Sequence, residues 1–150
     1  MTVRVLSLDP GEKRVGVAIS DALGITAQGL ETINYLSLEQ VLGEIKKVCA
    51  AYGVEKIIVG NPLNMNGTSG PASDKAAQLA ERLREYLKLP VSMVDERLTS
   101  KIAESVLISG GYSRKKRRAK VDKIAAVLIL ETYLSRSGNL NNRLFNEEGE

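Results

Sequence analysis

The chain has 150 residues and a net charge of +3 at pH 7, with 43% apolar and 26% charged residues. This length and composition are typical of one globular domain and exclude a disordered or fibrous chain. No stretch reaches the ~18 consecutive apolar residues of a membrane helix, and a strand pattern begins almost at once, so we expect a cytoplasmic protein without a signal peptide or membrane segment.

Two absences narrow the possible chemistry. The sequence contains no histidine, and Cys49 is its only cysteine. Nucleophilic catalysis by a serine–histidine or cysteine–histidine pair is therefore excluded, as are zinc and iron–sulfur sites built from these residues. A metal in this protein would be held by oxygen ligands, which favours Mg²⁺ or Mn²⁺.

The first third of the chain predicts an antiparallel meander. Residues 3–8 and 14–19 are β-branched and alternating, and a Pro-Gly pair at 10–11 lies between them, which is typical of a hairpin. Residues 25–33 predict a third strand of the same meander.

A helix follows the meander. Ser37 and Gln40 have the spacing of a capping box, apolar residues then recur at helical spacing, and Gly53 ends the pattern. Cys49 lies on the apolar stripe of this helix, so we interpret it as a core residue rather than a reactive thiol.

The middle of the chain alternates strands and helices. Residues 56–60 are almost wholly apolar, as expected of a strand buried on both faces, and a polar, glycine-rich loop follows at 61–70. A helix is predicted from about 73 to 88, and a further strand at 91–94.

The last third is predicted to be helical. A helix over about 99–109 leads to the basic residues at 114–120, and a largely buried helix covers about 120–135. Residues 137–150 resemble a flexible tail, so we predict one domain over 1–136. Three hairpin-linked strands followed by alternating helices and strands predict an α/β fold, with helices on both faces of a mixed sheet.

Acidic residues mark the ends of these elements. Asp9 ends the first predicted strand, Asp95 and Glu96 end the last one, and Asp122 opens the final helix. Active sites of open α/β sheets lie at the carboxyl ends of strands, where converging carboxylates repel one another unless a cation lies among them. Two divalent ions held by such acids stabilise the attacking and leaving oxygens in phosphodiester cleavage, and this chemistry needs no histidine.

Each acid also has a structural interpretation. Asp9, which precedes Pro-Gly, could form an Asx turn, and Asp122 could interact with the helix macrodipole. Asp95 or Glu96 could pair with Arg97. The combination of the three positions favours the metal site over these separate explanations.

Most of the net positive charge lies in one segment. Six of the seven residues from 114 to 120 are basic. The rest of the chain is acidic on balance, because the other basic residues of the total of 21 are fewer than the 18 acidic residues. Such a cluster favours a polyanionic partner, because each phosphate that it neutralises releases counterions. The alternative is a solvated segment that only aids solubility.

Four stretches of the sequence resemble the YqgF (RuvX-like) family. They are LDPGEKRVGVAISD at 8–21, IIVGNPLNMNGTSGP at 57–71, VDERLTS at 94–100 and KVDKIAAVLILETYL at 120–134. The resemblance runs in order from about residue 3 to 135. It implies a ribonuclease H-like fold with a mixed five-stranded sheet, in which two parallel strands join the three-stranded meander.

The resemblance also implies a function. Members of the family are described as Holliday junction resolvases or as nucleases that mature the 5′ end of pre-16S ribosomal RNA, so we expect a Mg²⁺- or Mn²⁺-dependent endonuclease. Asp9, Glu96 and Asp122 match the family's acidic positions. Many ribonuclease H-like nucleases carry the second acid at the end of the fourth strand, whereas here that strand ends at Asn61 without one. Only one of two neighbouring strand residues can point inward, and Glu96 is favoured over Asp95 because its longer side chain reaches further toward the centre.

The expected partner is a nucleic acid, either precursor rRNA or branched DNA, bound by a monomer or a homodimer. Asn64 lies in the predicted loop at 61–70 and has an equally plausible role in a plain turn. The other residues expected to contact nucleic acid are all basic: Lys13, Arg14, Arg97, Arg114, Lys115, Lys116, Arg117, Arg118 and Lys120. Two rival functions remain, a non-catalytic RNA-binding assembly factor and an actin-like ATPase, although 150 residues supply only one of the two lobes of such an ATPase.

Overall fold

The computed structural model describes residues 4–62, 70–95 and 123–135. The predicted helix at 99–109, the basic residues at 114–120 and the predicted tail at 137–150 lie outside these ranges. Within them, no helix combines the length and the apolar character needed to cross a bilayer. The elements are β1 (Val5–Pro10), β2 (Arg14–Ser20), β3 (Ala27–Gly29), β4 (Ile33–Asn34), α1 (Leu38–Tyr52), β5 (Lys56–Asn61), α2 (Pro71–Leu87), β6 (Val91–Asp95) and a helix over 123–135, here α3.

The strands form one mixed sheet in the order β3-β2-β1-β5-β6, with β4 also paired to β2. β1 and β2 are antiparallel, whereas β5 runs parallel to β1 and β6 runs parallel to β5. The predicted combination of an antiparallel meander with two parallel strands is therefore confirmed. Because β1, β5 and β6 run in the same direction, they all end at one edge of the sheet, which we call the carboxyl edge.

The third predicted strand differs from the prediction, since it is divided into β3 and β4. β3 pairs Gly29 with Ala18, and β4 pairs Ile33 with Val15. Between these pairs, β2 contributes residues 16–17 whereas the opposite chain contributes residues 30–32, one residue more. An extra residue on one side of a ladder is the mark of a β-bulge, which interrupts the pairing and bends the strand. Within the described residues, the sheet therefore has six strands, because the third predicted strand is divided in two.

Helices α1 and α2 cover one face of the sheet. Ser37 and Gln40 form the predicted capping box at the start of α1, and Gly53 ends that helix in the left-handed conformation. α2 begins at Pro71, two residues earlier than predicted, because proline suits the first position of a helix. The core between these helices and the sheet is continuous and contains, among others, Leu6, Leu8, Val17, Val41, Leu42, Ile45, Ile57, Val59, Leu79 and Leu83.

Helix α3 covers the opposite face. Its buried residues Ala126, Ile129 and Leu130 pack against Val5 and Ile58 of the sheet. Residues 57–59 of β5 are fully buried, because alternate side chains of this strand enter the two cores. The prediction of helices on both faces is confirmed.

Candidate functional site

Asp9 lies at the carboxyl edge, as the last residue but one of strand β1. Its partner across the hairpin is Gly16, and the parallel pairing of Leu8 with Val59 brings the next residue, Asp9, beside Gly60. Only 7% of Asp9 is exposed. A buried carboxylate is stable only where positive or hydrogen-bonding groups compensate the lost hydration, or where it coordinates a metal.

The hairpin turn beside Asp9 does not use the Asx-turn bond. An Asx turn would direct the Asp9 carboxylate to the N–H of Gly11, two residues further along. That N–H instead donates to the backbone carbonyl of Arg14 over 2.8 Å. The backbone closes this turn by itself, so Asp9 does not act as its Asx-turn residue.

Asp21 shows what a turn-forming aspartate looks like in the same protein. Its Oδ1 accepts hydrogen bonds from the N–H groups of Ile25 at 2.7 Å and Thr26 at 3.3 Å. These backbone donors, Ile25 first, lower the pKa of the Asp21 carboxyl below its usual value. The Asp21 carboxylate is thus committed to its own loop.

The pleat of the sheet assigns the neighbouring side chains to faces. Ser7 and Asp9 lie on the same face of β1, and the Ser7 hydroxyl donates to the Ala126 carbonyl of α3 over 2.9 Å. In β6, Val94 packs into the core under α3, whereas Met93 packs into the core under α1 and α2. Asp9 and Val94 therefore lie on the α3 face of the sheet.

Helix α3 runs antiparallel to β1. Near its end, the Tyr133 ring lies 4.9 Å from the Nζ of Lys56, which pairs with the first residue of β1. Earlier in the helix, Ala126 accepts the hydrogen bond from Ser7, further along β1. The start of α3 is consequently directed toward the carboxyl edge, where Asp9 lies.

Three of the predicted site residues, Asp9, Lys13 and Arg14, lie at this edge. Asp95, one of the two acids considered for the second metal-binding position, lies there too. Lys13 and Arg14 lie in and just after the turn that follows Asp9, the first exposed and the second half-buried. Asp95 ends β6, is exposed and pairs with Asn61. The other predicted site residues lie outside the described ranges; they are Asn64, Glu96, Arg97, Arg114, Lys115, Lys116, Arg117, Arg118, Lys120 and Asp122.

A metal site cannot be completed from the described residues alone. Within these ranges, no group of three acidic, histidine or cysteine side chains is close enough together to hold an ion. Cys49 is buried in the α1 core, where loss of hydration raises the pKa of its thiol to about 11, as expected of an inert core residue. Asp9 therefore needs partners from outside the described residues if it is to coordinate a cation.

The sequence did not indicate two contacts that α2 makes at the carboxyl edge. The Ser73 hydroxyl donates to Oδ1 of Asn61 over 2.6 Å, so the residue that ends β5 is tied to the first turn of α2. Further along the same helix, the Lys75 ammonium lies 3.4 Å from the Gly11 carbonyl and 4.0 Å from the centre of the Tyr35 ring. Neither contact has a sequence signal, because each joins residues on different elements.

A surface cavity of about 610 Å³ lies elsewhere. It is lined by residues 24–27 of the loop after β2 and by Glu131, Leu134 and Ser135 near the end of α3. Because β2 and α3 both run antiparallel to β1, this cavity is at the edge opposite Asp9. Among the described residues that line it, Glu131 is the one ionisable side chain, so we do not regard the cavity as the reactive site.

Comparisons with known proteins identify the family of this chain. A family model described as "RuvX: Holliday junction resolvase" matches residues 3–136. A protein of Bacillus cytotoxicus named "Putative pre-16S rRNA nuclease" is 52% identical over 134 residues, which covers 88% of this chain and 98% of the relative. A Syntrophomonas wolfei protein of the same name is 48% identical over 132 residues, 88% of this chain and 94% of the relative.

Solved structures share the fold at low sequence identity. RuvC of T. thermophilus in complex with a Holliday junction substrate has a TM-score of 0.56 at 14% identity, covering 91% of this chain and 96% of RuvC. Fowlpox virus resolvase, solved with Holliday junction DNA, has a TM-score of 0.57 at 15% identity, covering 89% of this chain and 98% of that protein. These similarities confirm the ribonuclease H-like fold, and the family match confirms the resemblance of the four sequence stretches: the chain belongs to the RuvX family.

Proposed function

We propose that this protein is a divalent-metal-dependent endonuclease that acts in the 5′-end maturation of pre-16S rRNA. The names of its relatives from B. cytotoxicus and S. wolfei support the substrate. The observation that carries the reaction type is Asp9, a buried carboxylate at the carboxyl edge that its own turn does not require. Since bacterial precursor rRNA is made in the cytoplasm, this function includes a cytoplasmic location.

We infer that Asp9, Glu96 and Asp122 hold the metal. Val94 lies on the α3 face, so continuing the β6 alternation by two residues would bring Glu96 to the face of Asp9, while Asp95 belongs to the other face. Asp122 immediately precedes α3, whose start is directed toward the carboxyl edge. A set of three carboxylates suits Mg²⁺ or Mn²⁺, which prefer oxygen ligands. Such an ion, when bound, would stabilise charge on the phosphate oxygens during cleavage.

The basic residues would then position the nucleic acid. Lys13 and Arg14 flank Asp9 at the carboxyl edge and are suited to the phosphates beside the cleaved bond. We assign the same role to Asn64, to Arg97 and to the cluster at 114–120. These contacts would supply affinity for the backbone of any strand, because phosphates carry no sequence information.

Resolution of Holliday junctions is the second candidate. The description of the family model favours it, as do the two structural neighbours that were solved with such junctions. A four-way junction has two-fold symmetry, so this activity would require a homodimer, whereas a monomer would suffice for a single RNA strand.

A cleavage assay separates these functions. The purified protein is incubated with Mg²⁺, with Mn²⁺ or with EDTA, on a precursor fragment spanning the 5′ end of 16S rRNA and on a four-way DNA junction. We expect metal-dependent cleavage of the RNA, lost in Asp9→Asn without a large fall in melting temperature. Asp21→Asn is the matched control, because that carboxylate serves a local turn and its loss should leave cleavage intact.

The alternatives give different results. Cleavage of only the DNA junction would favour the resolvase. RNA binding without cleavage in either metal would indicate the non-catalytic assembly factor and contradict the proposal. Full cleavage by Asp9→Asn would contradict the metal-binding role of Asp9.

A further inference from the structure

A lysine on α2 is held at the carboxyl edge by groups from two other parts of the chain. The Lys75 ammonium lies 4.0 Å from the centre of the Tyr35 ring, a cation–π distance, and 3.4 Å from the carbonyl oxygen of Gly11. Both groups are neutral, so they orient the ammonium without cancelling its charge. Lys75 itself is half-buried.

The position of this ammonium relates it directly to Asp9. Gly11 follows Asp9 by two residues in the β1–β2 turn. Tyr35, whose ring faces the ammonium, donates its backbone N–H to the Lys13 carbonyl over 2.8 Å. Lys75 is therefore joined to the same turn that carries Asp9 and the exposed Lys13, although it comes from the opposite face of the sheet.

Fixing the Lys75 side chain in one conformation costs conformational entropy. An ordered lysine loses up to about 2 kcal/mol of side-chain rotamer entropy. The cation–π contact with Tyr35 offsets about 0.5–1 kcal/mol of this loss, and a neutral carbonyl at 3.4 Å adds little. The arrangement is better explained by a ligand that uses the oriented charge. At the carboxyl edge, an ammonium held in place suits a phosphate group of a nucleic-acid backbone.

We propose that Lys75 is a phosphate-binding residue that positions one phosphate next to the cleaved bond. This inference rests on the proposed nuclease function for its choice of ligand. Because α2 and Asp9 lie on different faces of the sheet, Lys75 contacts a flanking phosphate rather than the reacting one. Lys75 therefore contributes to binding, and its removal raises KM more than it lowers kcat.

The test measures binding without cleavage. A fluorescent precursor fragment spanning the 5′ end of 16S rRNA and a labelled four-way DNA junction are titrated in EDTA at several salt concentrations, and log Kd is plotted against log salt. Losing one phosphate contact should reduce the slope by about 0.7 for a single strand and about 0.9 for duplex DNA. At moderate salt, Lys75→Met should weaken binding roughly fivefold, whereas Lys75→Arg should retain both affinity and slope.

Lys46→Met provides a matched control. Lys46 also lies over a tyrosine ring, at 5.3 Å from the centre of Tyr86, but Tyr86 is in the last turn of α2, away from the carboxyl edge. This substitution removes the same charge from another lysine–tyrosine pair, so affinity and salt slope should stay close to wild type.

The outcomes separate this inference from the proposed function. A slope change in Lys75→Met but not in Lys46→Met supports the inference, and a change with only one probe also identifies the nucleic acid. Equal slopes for Lys75→Met and wild type, or no binding of either probe by wild type, would overturn it. A wild-type protein that binds but cleaves neither probe with Mn²⁺ contradicts the proposed nuclease while leaving the slope comparison valid.

Discussion

The hydrogen bond between Ser7 and Ala126 connects the strand of Asp9 to the helix that follows Asp122. Ser7 is fully buried, and its hydroxyl donates over 2.9 Å to the Ala126 carbonyl. Ser7→Ala removes this bond and leaves the Ala126 carbonyl free to keep its partner within the helix. We expect a loss of about 1 kcal/mol in the free energy of unfolding, which lowers the melting temperature by about 2–4 °C in a chain of this length.

The effect on activity should exceed the effect on stability. Without the tether, the start of α3 can shift relative to β1, and with it the spacing between Asp9 and Asp122. Misplacement of catalytic groups by a fraction of an ångström reduces rates by roughly tenfold. We expect kcat for the rRNA fragment to fall by about this factor and the Mg²⁺ concentration for half-maximal activity to rise, while KM changes little.

Ser20→Ala provides the control. Ser20 is also a buried serine of the hairpin, and its hydroxyl accepts from the Val5 N–H over 2.8 Å at the end of the sheet opposite Asp9. Its loss leaves a buried N–H without this partner and costs about 1–3 kcal/mol, at least as much as Ser7→Ala. Ser20→Ala should nevertheless retain wild-type kcat well below its melting temperature. Equal kcat losses in the two variants, or no loss in Ser7→Ala, would refute the positioning role.

Further predictions concern packing and protonation. Gly43→Ala should stabilise α1 by about 0.5–1 kcal/mol in urea unfolding, because a Cβ there meets no atom within 4 Å. Gly29→Ala should destabilise by roughly 1 kcal/mol, because its Cβ would lie 2.8 Å from Cγ and Cε of Lys123. Ile58→Ala should cost about 2–5 kcal/mol in thermal unfolding, since Ile58 is fully buried under α3. The pKa of Cys49 is raised from 9.0 to about 11, so wild type should lose stability as pH rises through this window, and Cys49→Ala should not show that component of the loss.

Local patterns predicted the fold well where local chemistry determines it. The capping box at Ser37 and the left-handed Gly53 mark the ends of α1 because each acts within one turn of helix. The split of the third strand was missed, because a bulge depends on register against β2 and not on the residues of the strand itself. Residues 25–33 are compatible with one strand when read alone.

At the candidate site, the sequence predicted the place of Asp9 at the end of a strand but did not predict the contacts that support it. Asp9 could be recognised because it ends a clear strand pattern, and its neighbour Lys13 because it follows in the same turn. The bonds from Ser7 to Ala126 and from Lys75 to Gly11 join residues 119 and 64 positions apart, so no local pattern could reveal them. These contacts can be identified only in the folded structure, where helices pack on both faces of the sheet.

The most direct test is crystallographic. Crystals of the protein soaked in Mn²⁺ should show anomalous density within about 2.5 Å of carboxylate oxygens from Asp9, Glu96 and Asp122. Manganese density at that position would establish the three acids as one metal site. The account would be contradicted if the ordered carboxylates of these residues lay on different sides of the sheet, or if manganese bound only elsewhere.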